Sequence, residues 1–395
     1  MRSAGKRTSV IAATAAVFTG VTAAVSVPAS AGPKDVPPGQ RGRILSDRPL
    51  TTSAALPSAA ANRLVTYTSQ GVGGKKIKVS GTVSVPEGRA PRGGWPVISW
   101  AHGTTGTADV CAPSADTPGG PVHDYVSITA AYLDRWVARG YAVVQTDYEG
   151  LGTEGGHPYM NGESAANTVV DMVHAARALD HRIGRDWFAI GHSQGGQAAL
   201  FSAAAQPRTG QLNLKGAVAL APGGYGLSQT VDYIQSRLPG AQYALAFLPT
   251  LITGAEAADP SIVPEELLTE AASDTLLKAG RTECTAKHRE IALTFPLDQV
   301  FRPGADLTGL TSYLRSQEPV GLDLRVPTQV PQGTADVLVG KPTTDLLVDD
   351  LCELGEVAYD VYEGADHRGV LNASFEDSFS FVEDLRAGRA PRNTC

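Results

Sequence analysis

Two periodicities divide this chain. Over Arg63–Gln70 and again over Lys76–Val85, apolar and polar side chains alternate, which is the period of a strand with one face in water. The two runs predict an antiparallel pair, half exposed. Further on, the apolar positions bunch into short runs at Pro96–Trp100, Tyr141–Thr146, Trp187–Ile190, Ala217–Leu220, Pro327–Val330 and Val357–Tyr362. Such runs suit parallel strands buried on both faces. Between several of them the spacing becomes helical: Val169, Met172, Val173, Ala176 and Leu179 fall on one apolar face. Tyr125–Ala138 and Gly196–Ala205 behave alike. An antiparallel start followed by alternating strands and helices predicts one α/β sheet, mostly parallel, with helices on both faces.

One stretch departs from the alternation. From Ala221-Pro222-Gly223-Gly224 to about Gly321 the periods are helical, best in Val231–Leu238, Pro264–Leu277 and Thr285–Leu293, with no convincing buried strand. The strand series then resumes. Residues 224–321 are therefore expected to be a helical cap over the carboxyl edge of the sheet, where ligands bind in open α/β folds, rather than a separate helical domain.

The N-terminus reads differently again. Arg2, Lys6 and Arg7 precede an apolar stretch from Val10 to Val27, and Ala29-Ser30-Ala31 is an A-x-A cleavage signature. Residues 1–31 are expected to be a signal peptide for secretion. The Ala- and Thr-rich stretch and the well-formed cut site disfavour the alternative of a membrane anchor. Residues 32–60, rich in Pro, Gly, Ser and Ala without periodicity, are expected to be an N-terminal arm before a domain spanning residues 61–395. No later apolar run suits a transmembrane span.

Composition narrows the partners. The chain has 395 residues, 42% hydrophobic and 18% charged, which does not fit intrinsic disorder. Its net charge of −7 becomes −10 without the three basic residues of segment 1–31. No Lys/Arg run lies along a predicted helix, so the electrostatic footprint of a nucleic-acid binder is missing. The four cysteines, Cys111, Cys284, Cys352 and Cys395, read as a disulfide set of an oxidising compartment. Of the three possible connectivities, Cys111–Cys284 with Cys352–Cys395 is favoured, because the second bond ties down the chain terminus. No CxxC or HxxxH spacing supports zinc, and no metal or other cofactor is expected.

The chemistry concentrates in three places. Gly191-His192-Ser193-Gln194-Gly195 follows the strand Trp187–Ile190 and opens a helix. This is G-x-S-x-G in the strand–turn–helix setting that presents a serine hydroxyl above a sheet. The hydroxyl needs a base, and the base needs a third group to fix its tautomer; along this fold the order is Ser, acid, His. Of the eight histidines, His102, His123, His157, His174 and His181 precede Ser193, and His192 on the elbow should point away from the hydroxyl. His288 falls in the helical insertion. His367, in a Gly-containing loop after the last strand, is the candidate base. Asp336, after the strand Pro327–Val330, is the candidate acid, ahead of Asp323, Asp345, Asp349, Asp350 and Asp360. The third place is Trp100-Ala101-His102-Gly103-Thr104. An oxyanion hole takes one N–H from the residue after the nucleophile, Gln194, and a second from this earlier loop, where Gly103 allows close approach and Thr104 N–H is the candidate.

These segments together resemble the secretory lipase family of α/β-hydrolases, which includes bacterial members and the type-A lipases of yeasts. The resemblance rests on Ser80-Gly81-Thr82-Val83-Ser84-Val85-Pro86, His102-Gly103-Thr104, Thr146-Asp147-Tyr148-Glu149-Gly150-Leu151-Gly152, His157-Pro158-Tyr159, Gly191–Gly196, Gly333–Asp336 and the loop around His367. It implies an eight-stranded hydrolase sheet, a helical cap that holds an acyl chain, no metal cofactor and hydrolysis of carboxylic esters. The family triad carries over to Ser193, Asp336 and His367, and its oxyanion donors to Thr104 and Gln194. The yeast members hold an acidic residue where Thr104 stands. Asp147 and Glu149 are read as hydrogen-bonding scaffold.

Substrate preference rests on the cap. Its most apolar piece, Leu238 to Pro249 with Leu251 and Ile252 beyond, suits an acyl pocket, a lipid–water interface or the cap's own core equally well. A lipase of fatty esters and an esterase of short soluble esters both stay open. A serine peptidase would use the same triad, but no charged pocket for a peptide terminus is evident. A catalytically silent binding protein would be expected to have lost a triad member.

Overall fold

The computed structural model describes residues 36–205 and 212–395; the expected signal peptide lies outside them. Nine strands among the described residues form one sheet: β1 (Ile44–Pro49), β2 (Ala59–Gln70), β3 (Lys76–Pro86), β4 (Trp95–Ala101), β5 (Ala142–Thr146), β6 (Ile183–His192), β7 (Asn213–Leu220), β8 (Thr328–Gly333) and β9 (Val357–Tyr362). Their order is β1-β2-β3-β5-β4-β6-β7-β8-β9. β1, β2, β3 and β5 pair antiparallel, and every pair from β5–β4 to β8–β9 is parallel.

Each apolar run of the sequence coincides with a strand, apart from Tyr141 and Pro327, which lie just before β5 and β8. β1 is the addition: it falls in the segment read as an arm, and it makes the sheet nine-stranded where the resemblance implies eight. Apart from half-buried Ile44, its side chains are exposed, so no buried face imposes a period on its sequence. The β2–β3 pair is less exposed than its alternation suggests. From Val79 onward β3 is buried except at half-buried Ser80, because helices α1 (His123–Ala138) and α2 (Gly162–Leu179) both pack against it.

Alternate residues of the parallel strands feed two cores, as the two-residue period of a strand requires. Val97, Ala189 and Ala217 join Val169, Met172, Val173 and Ala176 of α2 on one face. Ile98, Ile190 and Val218 join Leu133, Trp136 and Val137 of α1 and Phe375, Phe381 and Val382 on the other. A third helix, α3 (Gln194–Ala204), follows β6 and lies on the α2 side.

The insertion after β7 is helical. Ile234, Leu245, Leu248, Leu251, Ile252, Leu276 and Leu314 form its apolar core, closed by Tyr159 and Met160 from the loop before α2. The single helix expected over Pro264–Leu277 is broken. Leu268 is extended and bridges to Phe301, and the Thr269 side chain then caps a new helical start by accepting the Ala272 N–H. Both expected disulfides are present. Cys111–Cys284 joins the loop after β4 to the helical insertion. Cys352–Cys395 holds a C-terminal tail whose Thr394 hydrogen-bonds to Val357 and Tyr359 of the edge strand β9.

Candidate active site

The turn at Ser193 is built by glycines. A Cβ on Gly191 would lie 1.9 Å from the Gly195 carbonyl oxygen, and one on Gly195 would lie 1.8 Å from that of Ala101. With both absent, β6 passes into α3 through a single residue. Ser193 takes φ +60° and ψ −117°, a conformation that a side chain adopts only where its surroundings impose it. Here they do: Ser193 N–H donates to the Leu220 carbonyl at 2.9 Å, and its own carbonyl accepts Gly223 N–H at 3.0 Å. Among the described residues the Ser193 hydroxyl itself has no hydrogen-bond partner.

His367 and Asp336 meet although they sit on different loops, after β9 and β8. His367 Nδ1 lies 2.6 Å from Asp336 Oδ2, and both side chains are buried. Asp336 Oδ1 accepts the N–H groups of Leu338 and Val339, each at 2.9 Å. Burial opposes ionisation of this carboxyl, but the His367 hydrogen bond and charge and the two backbone N–H groups outweigh it, and its pKa falls below the ordinary value. An ionised carboxylate accepts only, so Nδ1 carries a proton, and in the neutral form of the ring the lone pair is then on Nε2. The His367 loop is docked on the elbow, since His192 Nε2 lies 2.7 Å from the His367 carbonyl oxygen. His192 thus turns to the His367 loop rather than to the serine hydroxyl.

Thr104 lies beyond Gly103, where a Cβ would come within 2.6 Å of the Tyr125 hydroxyl. The N–H of Thr104 makes no hydrogen bond among the described residues, and that of Gln194 belongs to the first turn of α3, which has no intrahelical partner. The Thr104 hydroxyl is engaged by Tyr159 at 2.7 Å. The Gln194 side chain is held by His157, Nε2 to Nε2 at 3.1 Å, while His157 Nδ1–H donates to the Glu149 carbonyl at 2.8 Å. Burial pushes the His157 pKa down to about 4, which keeps Nε2 an acceptor.

The carboxylates of Asp147 and Glu149 are taken up by hydrogen bonds from residues other than the triad. Asp147 accepts from Ser80 Oγ at 2.7 Å, Ser114 N–H at 3.0 Å and Ser114 Oγ at 2.5 Å, and burial raises its pKa. Glu149 accepts from Val72 N–H at 3.0 Å and Ser164 Oγ at 2.5 Å. Tyr125 goes unnoticed in the sequence, and His157 and Tyr159 enter it only as part of a resembling segment with no role of their own. Tyr125 looks like any apolar position of a helix, and only the fold brings its hydroxyl to Gly103.

Ser193 and Gln194 open onto a cavity of about 420 Å³ under the helical insertion, lined by Tyr159, Met160, Tyr225, Tyr243, Phe247 and Leu251 among others. The apolar piece Leu238–Pro249 with Leu251 and Ile252 divides its roles. Tyr243, Ala244, Phe247 and Leu251 face the cavity, Leu245, Leu248 and Ile252 are core, and Leu238 and Tyr243 are 56% and 61% exposed.

The sheet order, the Gly-flanked elbow after β6 and the loops after β8 and β9 define the α/β-hydrolase fold. A family model described as Hydrolase_4, serine aminopeptidase S33, matches residues 122–287. The chain is similar in structure to lipase A of Candida antarctica in its closed state, with a TM-score of 0.74, 18% identity, and coverage of 90% of this chain and 84% of that one. It is also similar to a ligand-bound form of the rice cell wall degrading esterase LipA of Xanthomonas oryzae, with a TM-score of 0.69, 18% identity, and coverage of 89% and 100%. No curated protein sequence matches it. Among the described residues no helix is long and apolar enough to cross a membrane.

Proposed function

We propose that this protein is a secreted serine hydrolase of carboxylic esters, with Ser193 as nucleophile, His367 as general base and acid, and Asp336 as the group that orients and stabilises the imidazolium. The observation that carries the reading is the buried 2.6 Å pair of His367 and Asp336 beside a strained serine elbow. His367 takes the hydroxyl proton as Ser193 Oγ attacks the ester carbonyl. The oxyanion rests on the N–H groups of Gln194 and Thr104, and the alcohol leaves with the proton from His367. Water then cleaves the acyl-enzyme by the same route. Secretion is supported by the signal-like N-terminus and by two disulfides.

The cavity speaks for an uncharged acyl group. Among the described residues its lining contains no charged side chain, and an ammonium brought there would be desolvated with no carboxylate to hold it. That weighs against the peptidase which the matching family model's description suggests, because an aminopeptidase must hold a free amino terminus. The names of the two structural neighbours, a lipase and an esterase, point the same way. An uncharged cavity that mixes apolar side chains with hydroxyl-bearing ones and is rimmed by exposed Tyr243 accommodates a fatty acyl chain, with esterase action on short soluble esters as the alternative.

The test is fluorophosphonate labelling of wild type and Ser193→Ala, followed by assays on nitrophenyl esters of short and long acyl chains and on an aminoacyl anilide. Labelling that requires Ser193 and ester cleavage that leaves the anilide intact are expected. Labelling that survives the substitution would sink the assignment of the nucleophile, and failure to cut any long-chain ester would leave esterase in place of lipase.

A further inference from the structure

A chain of buried hydrogen bonds runs behind the elbow, and the acyl-transfer steps do not use it. Gly103 N–H donates to the Tyr125 hydroxyl at 2.7 Å. That hydroxyl lies 3.0 Å from His192 Nδ1, and His192 Nε2 lies 2.7 Å from the His367 carbonyl oxygen. A carbonyl only accepts, so Nε2 carries the His192 proton and Nδ1 accepts from Tyr125. All three bonds therefore point one way, from the oxyanion loop to the loop of the base. Tyr125 and His192 are 7% and 1% exposed, and their rings stack with centroids 5.8 Å apart. Burial first, and the charge of His367 second, push the His192 pKa down to about 3, so the ring stays neutral and keeps this tautomer at working pH.

We infer that Tyr125 and His192 are positioning residues, a strut that holds the Gly103–Thr104 peptide in register with the backbone of His367. The inference rests on the assignment of Ser193, His367 and Asp336 above. Thr104 N–H and His367 lie on loops from strands at different places in the sheet, β4 and β9, with β6, β7 and β8 between them. Oxyanion stabilisation and proton transfer happen in one transition state, so the two loops must keep a fixed separation. A shift of about 1 Å can lower a rate about 100-fold. A histidine that only filled space would not need a hydroxyl on one nitrogen and a catalytic loop's carbonyl on the other.

The experiment compares Tyr125→Phe, His192→Phe, His192→Gln and the double variant Tyr125→Phe/His192→Phe on a soluble nitrophenyl ester. Rates are taken per active site, counted by fluorophosphonate titration to completion, with melting temperature alongside. Both Phe variants should lose about 10- to 100-fold in kcat with little change in KM. The double variant should be no slower than the slower single one, because a chain broken once is already broken. His192→Gln, which can offer an N–H to the His367 carbonyl and an oxygen to Tyr125, should recover most of kcat. Tyr125→Phe removes one oxygen atom only and carries the test if His192→Phe does not fold. Wild-type kcat per titrated site in folded Tyr125→Phe overturns the strut, as does a double variant slower by the product of the two single losses. Labelling that does not depend on Ser193 instead overturns the triad beneath it, and the two failures are distinct.

Discussion

His367 Nδ1 and Asp336 Oδ2 lie 2.6 Å apart, brought together by the adjacent parallel strands β8 and β9 that precede their loops. The pair fixes the imidazole in the tautomer whose free nitrogen can take a proton. Asp336→Asn should reverse it, because an amide can donate to Nδ1 and leave the proton on Nε2. On a soluble nitrophenyl ester kcat should fall by about 10⁴-fold, while melting and disulfide content stay near wild type. A loss below tenfold would mean that Asp336 does not hold the base.

The elbow glycines should separate sharply by what surrounds them. Gly195→Ala would set a Cβ 1.8 Å from the Ala101 carbonyl oxygen, and Gly191→Ala one 1.9 Å from that of Gly195. Backbone atoms cannot step aside as a side chain can. Each variant should lose more than about 4 kcal/mol, in the range reserved for gross steric conflict, and yield little soluble protein. Gly223→Ala, whose nearest contact is 3.6 Å, should fold normally. Urea unfolding of the soluble fractions ranks the three, and a well-folded Gly195→Ala would refute the close approach of β4 and α3.

The sequence is most legible where burial imposes a period. β4, β6 and β7 have apolar runs because Val97, Ile98, Ala189, Ile190, Ala217 and Val218 feed cores on both faces of the sheet. β1 is invisible for the opposite reason: its exposed side chains carry no pattern, and only backbone pairing with β2 defines it. Ser193, Asp336 and His367 could be nominated from motif and chain order, since each follows a strand. Tyr125 could not, and Tyr159 stands only in a resembling segment with no role, because their hydroxyls acquire meaning only from the loop that folding places against them. The break at Leu268 and Thr269 shows the same limit, a helical period overridden by a bridge to Phe301 and a side-chain cap.

The two disulfides close loops of different length, with sequence separations of 173 for Cys111–Cys284 and 43 for Cys352–Cys395. Loop-closure entropy then assigns them about 5 and about 4 kcal/mol. Paired Ala substitutions at Cys111 and Cys284 should therefore destabilise more than those at Cys352 and Cys395. They should also reduce activity, since that bond ties the helical insertion to the loop after β4. The second pair should leave kcat unchanged and loosen only the tail on β9. Urea unfolding and ester kinetics of the two double variants check both statements, and equal kinetic losses would contradict the assignment.

Three histidines around the site are buried and held neutral, which fixes the direction of the acid response. Burial pushes the pKa of His102 and of His157 down to about 4, and that of His192 to about 3. In the unfolded chain each titrates near its ordinary value of about 6.5. Depressed folded values mean that the stabilisation is whole above about pH 6.5 and drains away as the pH falls toward the folded values, because the unfolded chain binds the extra protons. Near pH 5 unfolding should take up about three protons from these residues, and each proton steepens the decline by about 1.4 kcal/mol per pH unit. His288, also lowered by burial, adds in the same sense. Asp147, raised by burial, works against it at the acid end. Urea unfolding at closely spaced pH values from 7 to 5 should show this slope, reduced by about one proton in His192→Gln. A stability that stays level over that interval would show that these rings are charged, or in contact with water, in the folded protein.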